Sequence, residues 1–404
     1  MPLNFRNILI IILGIILIIG GGFAIYFFFF RAPAPEVVPE EEIEVPIGEL
    51  PEAEVGVPPE EAVVAPPTEL EASAVAIGGL TQVETITPTA IVSNATLSGD
   101  GQGVNYYDAL SGQFSKVLSD GSIQTLSDDT FYNVDNVAWA ADGNSAIIEY
   151  PDGSNIVYDF QTKKQITLPK HWEDFDFSPQ GDQIVAKSMG LDPDNRWLIV
   201  SDKDGSNAQA IEPLGNNADK VQVSWSPNNQ VIATSRTGQP MGINRQQILL
   251  VGKNQENFPG LTVEGWGFDY EWSPTGDRML YDVYNMDNNY NPTLWIVDAS
   301  GSNIGLNRRY LKVNTWADKC TFANNNTLYC AVPDYLPEGA GLQPELANDI
   351  PDTIYKIDVT TGKKSTVGKP EDASTIKQLS ISADGKYLFY VDQLTNQLNQ
   401  MRLK

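Results

Sequence analysis

Histidine and cysteine are nearly missing from this chain of 404 residues: His171 stands alone, and Cys320 and Cys330 are the only thiols. A Ser-His-Asp or Cys-His mechanism would have to run through His171, and no Gly-x-Ser-x-Gly elbow is there to present a nucleophile. Two cysteines with no histidine close by do not make a zinc site. A glycine-rich phosphate loop is missing as well. Basic residues are scarce, 26 against 52 acidic ones, for a formal charge of −26. Such a chain repels a nucleic-acid backbone, so nucleic acid is not an expected partner. The deficit is uneven. No Lys or Arg lies between Arg31 and Lys116, and that stretch carries about −15 of the total.

Long apolar sequence is confined to one place, the 23 uncharged residues 8–30. At ~1.5 Å per residue a helix over this run is about 35 Å long, enough to cross a bilayer core. A cleaved signal peptide is the rival reading, but its apolar region is shorter, about 7–15 residues, and ends in a small-residue site. Here Arg31-Ala32-Pro33-Ala34-Pro35 follows instead. The expectation is an uncleaved single-pass transmembrane helix (8–30), a signal anchor through which the membrane is a partner. Arg6 and Arg31 almost balance under the positive-inside rule. The acid-rich sequence that follows holds nothing inside, so residues 1–7 are expected to be a cytoplasmic tail and the rest extracytoplasmic. Residues 32–72 contain nine Pro and twelve Glu with few aromatics. They cannot bury enough apolar surface to offset chain entropy, so 31–80 is expected to be a disordered acidic linker.

From there on a repeat takes over. Phe177-Ser178-Pro179-Gln180-Gly181, Trp225-Ser226-Pro227-Asn228-Asn229 and Trp272-Ser273-Pro274-Thr275-Gly276 are its clearest copies. Weaker ones are Trp139-Ala140-Ala141-Asp142-Gly143, Phe322-Ala323-Asn324-Asn325-Asn326 and Ile381-Ser382-Ala383-Asp384-Gly385. The small residues at 140, 178, 226, 273, 323 and 382 are 38, 48, 47, 50 and 59 positions apart, and Ser98 stands a further 42 before Ala140. A period of about 40–50 residues with four short strands per unit is that of a propeller blade. In the third unit the strands are expected at 174–177, 183–187, 197–201 and 208–211, with a hairpin turn at Asp204-Gly205-Ser206-Asn207. The last unit has three strands before residue 404, which leaves one sheet edge open. Residues 83–87 (Val-Glu-Thr-Ile-Thr) have strand character and could supply the fourth strand, closing the ring. The expected fold is therefore all-β, a seven-bladed propeller over 81–404, with six or eight blades as alternatives.

The turn pattern resembles the TolB-like and WD-repeat-like propeller families, in which a Ser-Pro-Asp-Gly turn marks each blade. Three of the seven copies here keep Ser-Pro and none has the whole tetrapeptide. The chain is also similar to the propeller that precedes the hydrolase domain of dipeptidyl-peptidase-type enzymes, and no such domain is expected after the last blade. The resemblance implies a fold and not a role, because propellers carry many unrelated activities.

The candidate site residues are few. Large residues before the turns (Trp139, Phe177, Trp225, Trp272, Phe322) recur too regularly for ligand stacking and are expected to pack between sheets. Cys320 and Cys330 lie symmetrically about position 325, close enough for a cross-strand disulfide or for two buried thiols. Asp192-Pro193-Asp194-Asn195, Asp202-Lys203-Asp204-Gly205 and Asp287-Asn288-Asn289 offer hard oxygen ligands for calcium, though none completes a twelve-residue loop; otherwise no cofactor is expected. Loops after the second strand are long in units three to six: 190–196, 238–245, 285–292 and 333–351. In an up-down blade they emerge on the same face as the connections between blades. That face should carry His171, Trp172, Arg196, Arg245, Trp266, Asn288, Tyr290, Trp316, Tyr335 and Glu338. Binding residues favour such loops on a rigid scaffold. Two functions stay open. One is a binding or scaffolding module for a protein, peptide or envelope polymer. The other is a hydrolase or lyase using carboxylates or a metal in the central channel.

Overall fold

The computed structural model describes residues 71–118 and 120–404. The tail at 1–7, the expected membrane helix at 8–30 and linker residues 31–70 lie outside the described residues. Among the described residues no helix is long and apolar enough to cross a membrane. Short strands alternate with tight turns and pair into seven antiparallel sheets of four, one of which takes a fifth, parallel strand. The protein is a seven-bladed β-propeller, the fold of the TolB-like and WD-repeat-like propellers.

Blade 3 shows how the sequence dictates a blade. Its strands are Trp172–Phe177, Gln183–Met189, Arg196–Asp202 and Gln209–Pro213, hydrogen-bonded in that order. The second and third strands carry apolar stretches, 184–186 and 197–200, because they are covered on both sides by neighbouring blades. The outer strand is largely exposed. In the turn after the inner strand, Ser178 Oγ accepts the Gln183 N–H at 3.1 Å. Ser98, Ser226, Ser273 and Ser382 do the same for Gly103, Val231, Arg278 and Tyr387 at 2.9–3.0 Å. The hydroxyl satisfies the N–H that opens the second strand, which is why a serine recurs there.

The core consists of seven apolar layers, one between each pair of blades. Phe177 and Trp225 are buried in two of them, and Trp139, Trp272 and Phe322 are half-buried against three others. Polar staples cross the layers. Asp176 accepts the Trp225 N–H at 2.6 Å, Asp282 that of Ala317 at 2.8 Å, and Asp352 that of Ile376 at 2.7 Å.

Val83–Thr85 supplies the missing outer strand of blade 7, antiparallel to the last strand, with Val83 opposite Met401 and Thr85 opposite Asn399. The Leu398 N–H donates to Thr87 Oγ1 at 2.8 Å, carrying the closure two residues further. One layer then joins Phe389, Val391 and Leu398 to Val92, Val104 and Val117 of blade 1. The ring is closed. Upstream, Leu80–Thr81 pairs in parallel with Lys369–Pro370 of blade 6, and the Ala76 N–H reaches the Arg402 carbonyl. Residues 71–85 therefore strap blade 6 to blade 7. Two paired residues leave no periodic trace, so the sequence did not announce this second contact.

Candidate functional site: the channel mouth and the loop face

Inner strands line the axis of the ring. Counting back four from each turn's small residue gives Asn94, Asn136, Asp174, Gln222, Asp269, Lys319 and Gln378, of which Lys319 lies in the 3-10 turn just before its strand and is buried; counting back two gives Thr96, Ala138, Asp176, Ser224, Glu271, Thr321 and Ser380. The first set is polar in every blade. Asn94 donates to Asn136 at 2.8 Å and Gln222 donates to Asp269 at 2.8 Å, linking neighbouring blades at the channel wall. Lys187 pairs with Asp174 beside them.

The wall is most acidic on blades 3, 5 and 6. Loss of water around the Asp176 carboxyl raises it to about 6, although the Trp225 and Phe177 N–H groups oppose this. Crowding by protein raises Glu271 to about 8, with Asp269, Asp318 and Asp176 adding like-charge repulsion. The Glu271 side chain is still open to channel water. Asp318 is open to the mouth, yet protein crowding around its carboxyl raises it to about 6, with Asp269 adding like-charge repulsion and Lys319 opposing. Burial pushes Asp282 well up, with Asp269 and Asp318 assisting. Asp352 forms a buried pair with Lys319, 2.8 and 2.9 Å from its two oxygens. Burial still outweighs that partner and raises it. Among the described residues no three His, Cys, Asp or Glu side chains converge as a metal-binding group.

Two cavities open at the mouth. One of about 500 Å3 is bounded by Asn136, Asp174, Asp219, Gln222, Arg236 and Asp269. The other, about 300 Å3, lies between Asp269, Trp316, Asp318, Pro344 and Lys377. A third of about 370 Å3 lies deeper, with Thr96, Glu271, Thr321, Gln378 and Ser380 on its wall.

The ten residues expected on the loop face lie on blades 3–6, but they do not converge. Trp172 is a correction: it is 6% exposed and belongs to the layer between blades 2 and 3, so it cannot meet a ligand. Its ring lies in that layer with Leu168, Phe175 and Phe177. His171 is exposed and meets the Trp172 ring edge-on at 6.4 Å. Arg196 is half-buried, its Nε donating to the Gly190 carbonyl at 3.1 Å. Arg245 is held by Glu264 at 2.7 Å, and Arg308 shares that carboxylate. Asn288 and Tyr290 are half-buried, and the Tyr290 carbonyl accepts the Gly341 N–H from the neighbouring blade's loop. Trp266, Tyr335 and Glu338 are exposed, and Trp316 alone of the ten borders a mouth cavity.

Sequence reasoning missed the acidic wall. Its signal was present at fixed offsets from each turn, where Asp176 and Glu271 occupy the same register. Cys320 and Cys330 face each other across the blade 6 hairpin and are joined by a disulfide. The acidic turns cap their own backbones. Asp192 accepts the Asp194 N–H at 3.1 Å, Asp204 that of Ser206 at 2.9 Å, and Asn285 that of Asp287 at 3.0 Å.

No protein-family model matches this sequence, and no curated protein does. Solved structures similar to it include oligogalacturonate lyase in complex with manganese, at 12% identity and a TM-score of 0.55, covering 80% of this chain and 93% of that one. Another is oligogalacturonate lyase from Vibrio parahaemolyticus, at 10% identity and 0.55, with the same coverage. A third is the Myceliophteria thermophila Cps50 β-propeller domain, at 10% identity and 0.52, covering 80% of this chain and all of that one. At such identities the likeness is one of fold alone.

Proposed function

We propose that this protein is a membrane-tethered, extracytoplasmic binding module whose propeller offers its loop face to a protein, peptide or envelope polymer. One observation carries the reading: large apolar side chains stand in water on the long loops of four neighbouring blades. Leu191 is 101% exposed and Ile243 88%, and Tyr335 and Leu342 are more than half exposed. Apolar groups gathered on one face mark interaction surfaces. The tether rests on the uncharged run 8–30, and residue 404 tagged with a reporter active only outside the cytoplasm tests its topology. A signal from inside alone would end the extracytoplasmic part of the proposal.

A second reading, a hydrolase or lyase in the channel, is favoured by the raised carboxyls of Glu271, Asp176 and Asp318, which suit proton transfer near neutral pH. The lyases of similar fold are named for oligogalacturonate, a polyanion. A wall rich in carboxylates is poorly matched to such a chain, so a substrate here would be neutral or cationic. The deciding experiment recovers partners from solubilised membranes with three proteins: wild type, a variant shortened at 333–351, and Glu271→Gln. Loss of partners in the shortened variant alone supports binding. Identical recoveries from all three refute the loop face. Turnover of a neutral polysaccharide that disappears in Glu271→Gln would move the assignment to the channel.

A further inference from the structure

The four long loops combine two properties that rarely coexist without a partner. Loops 190–196, 238–245, 285–292 and 333–351 carry seven acidic residues and two basic ones. Of the two bases, Arg196 is turned back onto the Gly190 carbonyl and Arg245 is held by Glu264. Asp334 is held in turn by Lys369, but Asp192, Asp194, Asp287, Glu338, Glu345 and Asp349 are in no ion pair among the described residues. The same loops hold out Leu191, Ile243, Met286, Tyr335, Leu342 and Leu346, each at least 42% exposed. Behind them, Asp174, Asp219, Asp269 and Asp318 border the mouth cavities, answered there by Arg236, Lys319 and Lys377. Lys319 is already committed to Asp352.

Resting on the binding reading above, we infer that the loop face of blades 3–6 takes a basic polypeptide segment with interspersed apolar side chains. Its apolar residues lie on the exposed loop tips, and its Lys or Arg heads point toward the acidic mouth while their methylene stems cover the same tips. Charge decides between occupants. An anionic lipid surface would meet these loops with like charge, and so would a second copy of this face. Raised carboxyls at Asp318 and Glu271 agree, since an incoming cation relieves the repulsion that raises them.

The test uses the full chain in neutral detergent and three labelled synthetic peptides of about 12 residues: Lys/Leu, Glu/Leu and Lys/Ser. Fluorescence anisotropy should show Lys/Leu binding at least about tenfold tighter than the other two. Its affinity should fall about tenfold between about 50 and about 500 mM salt. The double variant Leu191→Ser, Ile243→Ser changes only exposed side chains and should keep the wild-type melting curve while losing about tenfold in affinity. Equal or tighter binding of Glu/Leu overturns the charge assignment and leaves the loop face as a binding surface. Lys/Ser matching Lys/Leu, or a double variant that binds like wild type, overturns the part given to the apolar tips. Anionic vesicles captured as well as Lys/Leu overturn the choice of a polypeptide. If no peptide binds, the inference fails, and the shortened 333–351 variant still decides the wider reading.

Discussion

The two ends of the ring obey different constraints. At the turn end, the connection from the first to the second strand is short in every blade, capped by a serine in five, and in blades 4 and 5 pressed against its neighbour: a Cβ on Gly276 would sit 2.6 Å from the Asn228 amide nitrogen. At the loop end, blades 3–6 carry loops of seven to nineteen residues whose tips project into water. One end is fixed by the geometry of closing seven sheets around an axis and has no freedom to specialise. The other is free to change without disturbing the layers beneath it, so specialisation collects there.

Both ends depend on closure, and the largest effect should come from undoing it. Deleting residues 71–85 removes the outer strand of blade 7 and the strap to blade 6. The loss is expected to be on the order of 5 kcal/mol, comparable with the whole stability of many domains. Association should accompany it, because the strand 398–402 becomes an open edge. Denaturant unfolding and light scattering measure both. A truncated chain that unfolds at the wild-type midpoint would show that the seven layers hold without a closed ring.

Next in size is a test of whether depth or the end of the ring decides tolerance. Lys319 lies toward the loop end but is 6% exposed and neutralises fully buried Asp352. Lys319→Met leaves that carboxyl without its partner, which costs about 3–5 kcal/mol for a buried pair. The cost should shrink at acid pH, where Asp352 can take a proton. Adding Asp352→Asn should recover part of the loss, since the amide oxygen can still accept the Ile376 N–H. An unfolding midpoint that does not change in the single variant would place the pair outside the stabilising framework.

Gly276→Ala probes the turn end itself. The residue has φ +67, in the left-handed region, and its new methyl would meet backbone of the adjacent turn. Strain and close approach together should cost about 1–3 kcal/mol, read as a shift in the denaturation midpoint. A neutral result would mean that the turns are looser than their packing implies.

The contrast also explains what was legible in the sequence. Turn-end features repeat, so Ser98, Ser178, Ser226, Ser273 and Ser382, together with Ala140 and Ala323, announced the blade number, and strand alternation at 83–87 announced the closure. Function-end features do not repeat, and reading them one residue at a time misplaced Trp172, whose apolar ring belongs to a layer. The acidic wall was hidden for a different reason. Asp176 and Glu271 sit at one register with Thr96, Ala138, Ser224, Thr321 and Ser380, and only the alignment of inner strands brings them together: Thr96, Glu271, Thr321 and Ser380 border one cavity in the channel. The strap by Leu80–Thr81 had no sequence signal of any kind.

The channel gives the comparison a pH signature. Asp176, Asp318 and Glu271 have folded-state values of about 6, 6 and 8, above those of an unfolded chain at about 4. Protonation therefore favours the fold. The stability these groups contribute is complete below about pH 4 and is lost as pH rises through 6 and then 8. Asp100, Asp152 and Asp384 act in the opposite sense: hydrogen bonds and lysines hold them at about 2, so their contribution is lost as pH falls from about 4. The unfolding midpoint should peak near pH 4–5, and Glu271→Gln should flatten the limb between about pH 6 and pH 8. A midpoint rising steadily to neutral pH would contradict the crowding inferred for the channel.

The smallest stability change is expected where the proposed function sits. Leu191→Ser and Ile243→Ser replace side chains that touch water in the folded and unfolded chain alike, so each should shift stability by no more than about 0.5 kcal/mol. Solubility should improve, because fewer apolar tips remain to associate. Set beside Gly276→Ala, the pair asks whether the two ends differ as the geometry says: a methyl added at one end should cost more than two large side chains removed at the other. If the loop-tip variants melt as early as the glycine variant, those tips are part of the folding core. Their exposure would then no longer argue for a partner.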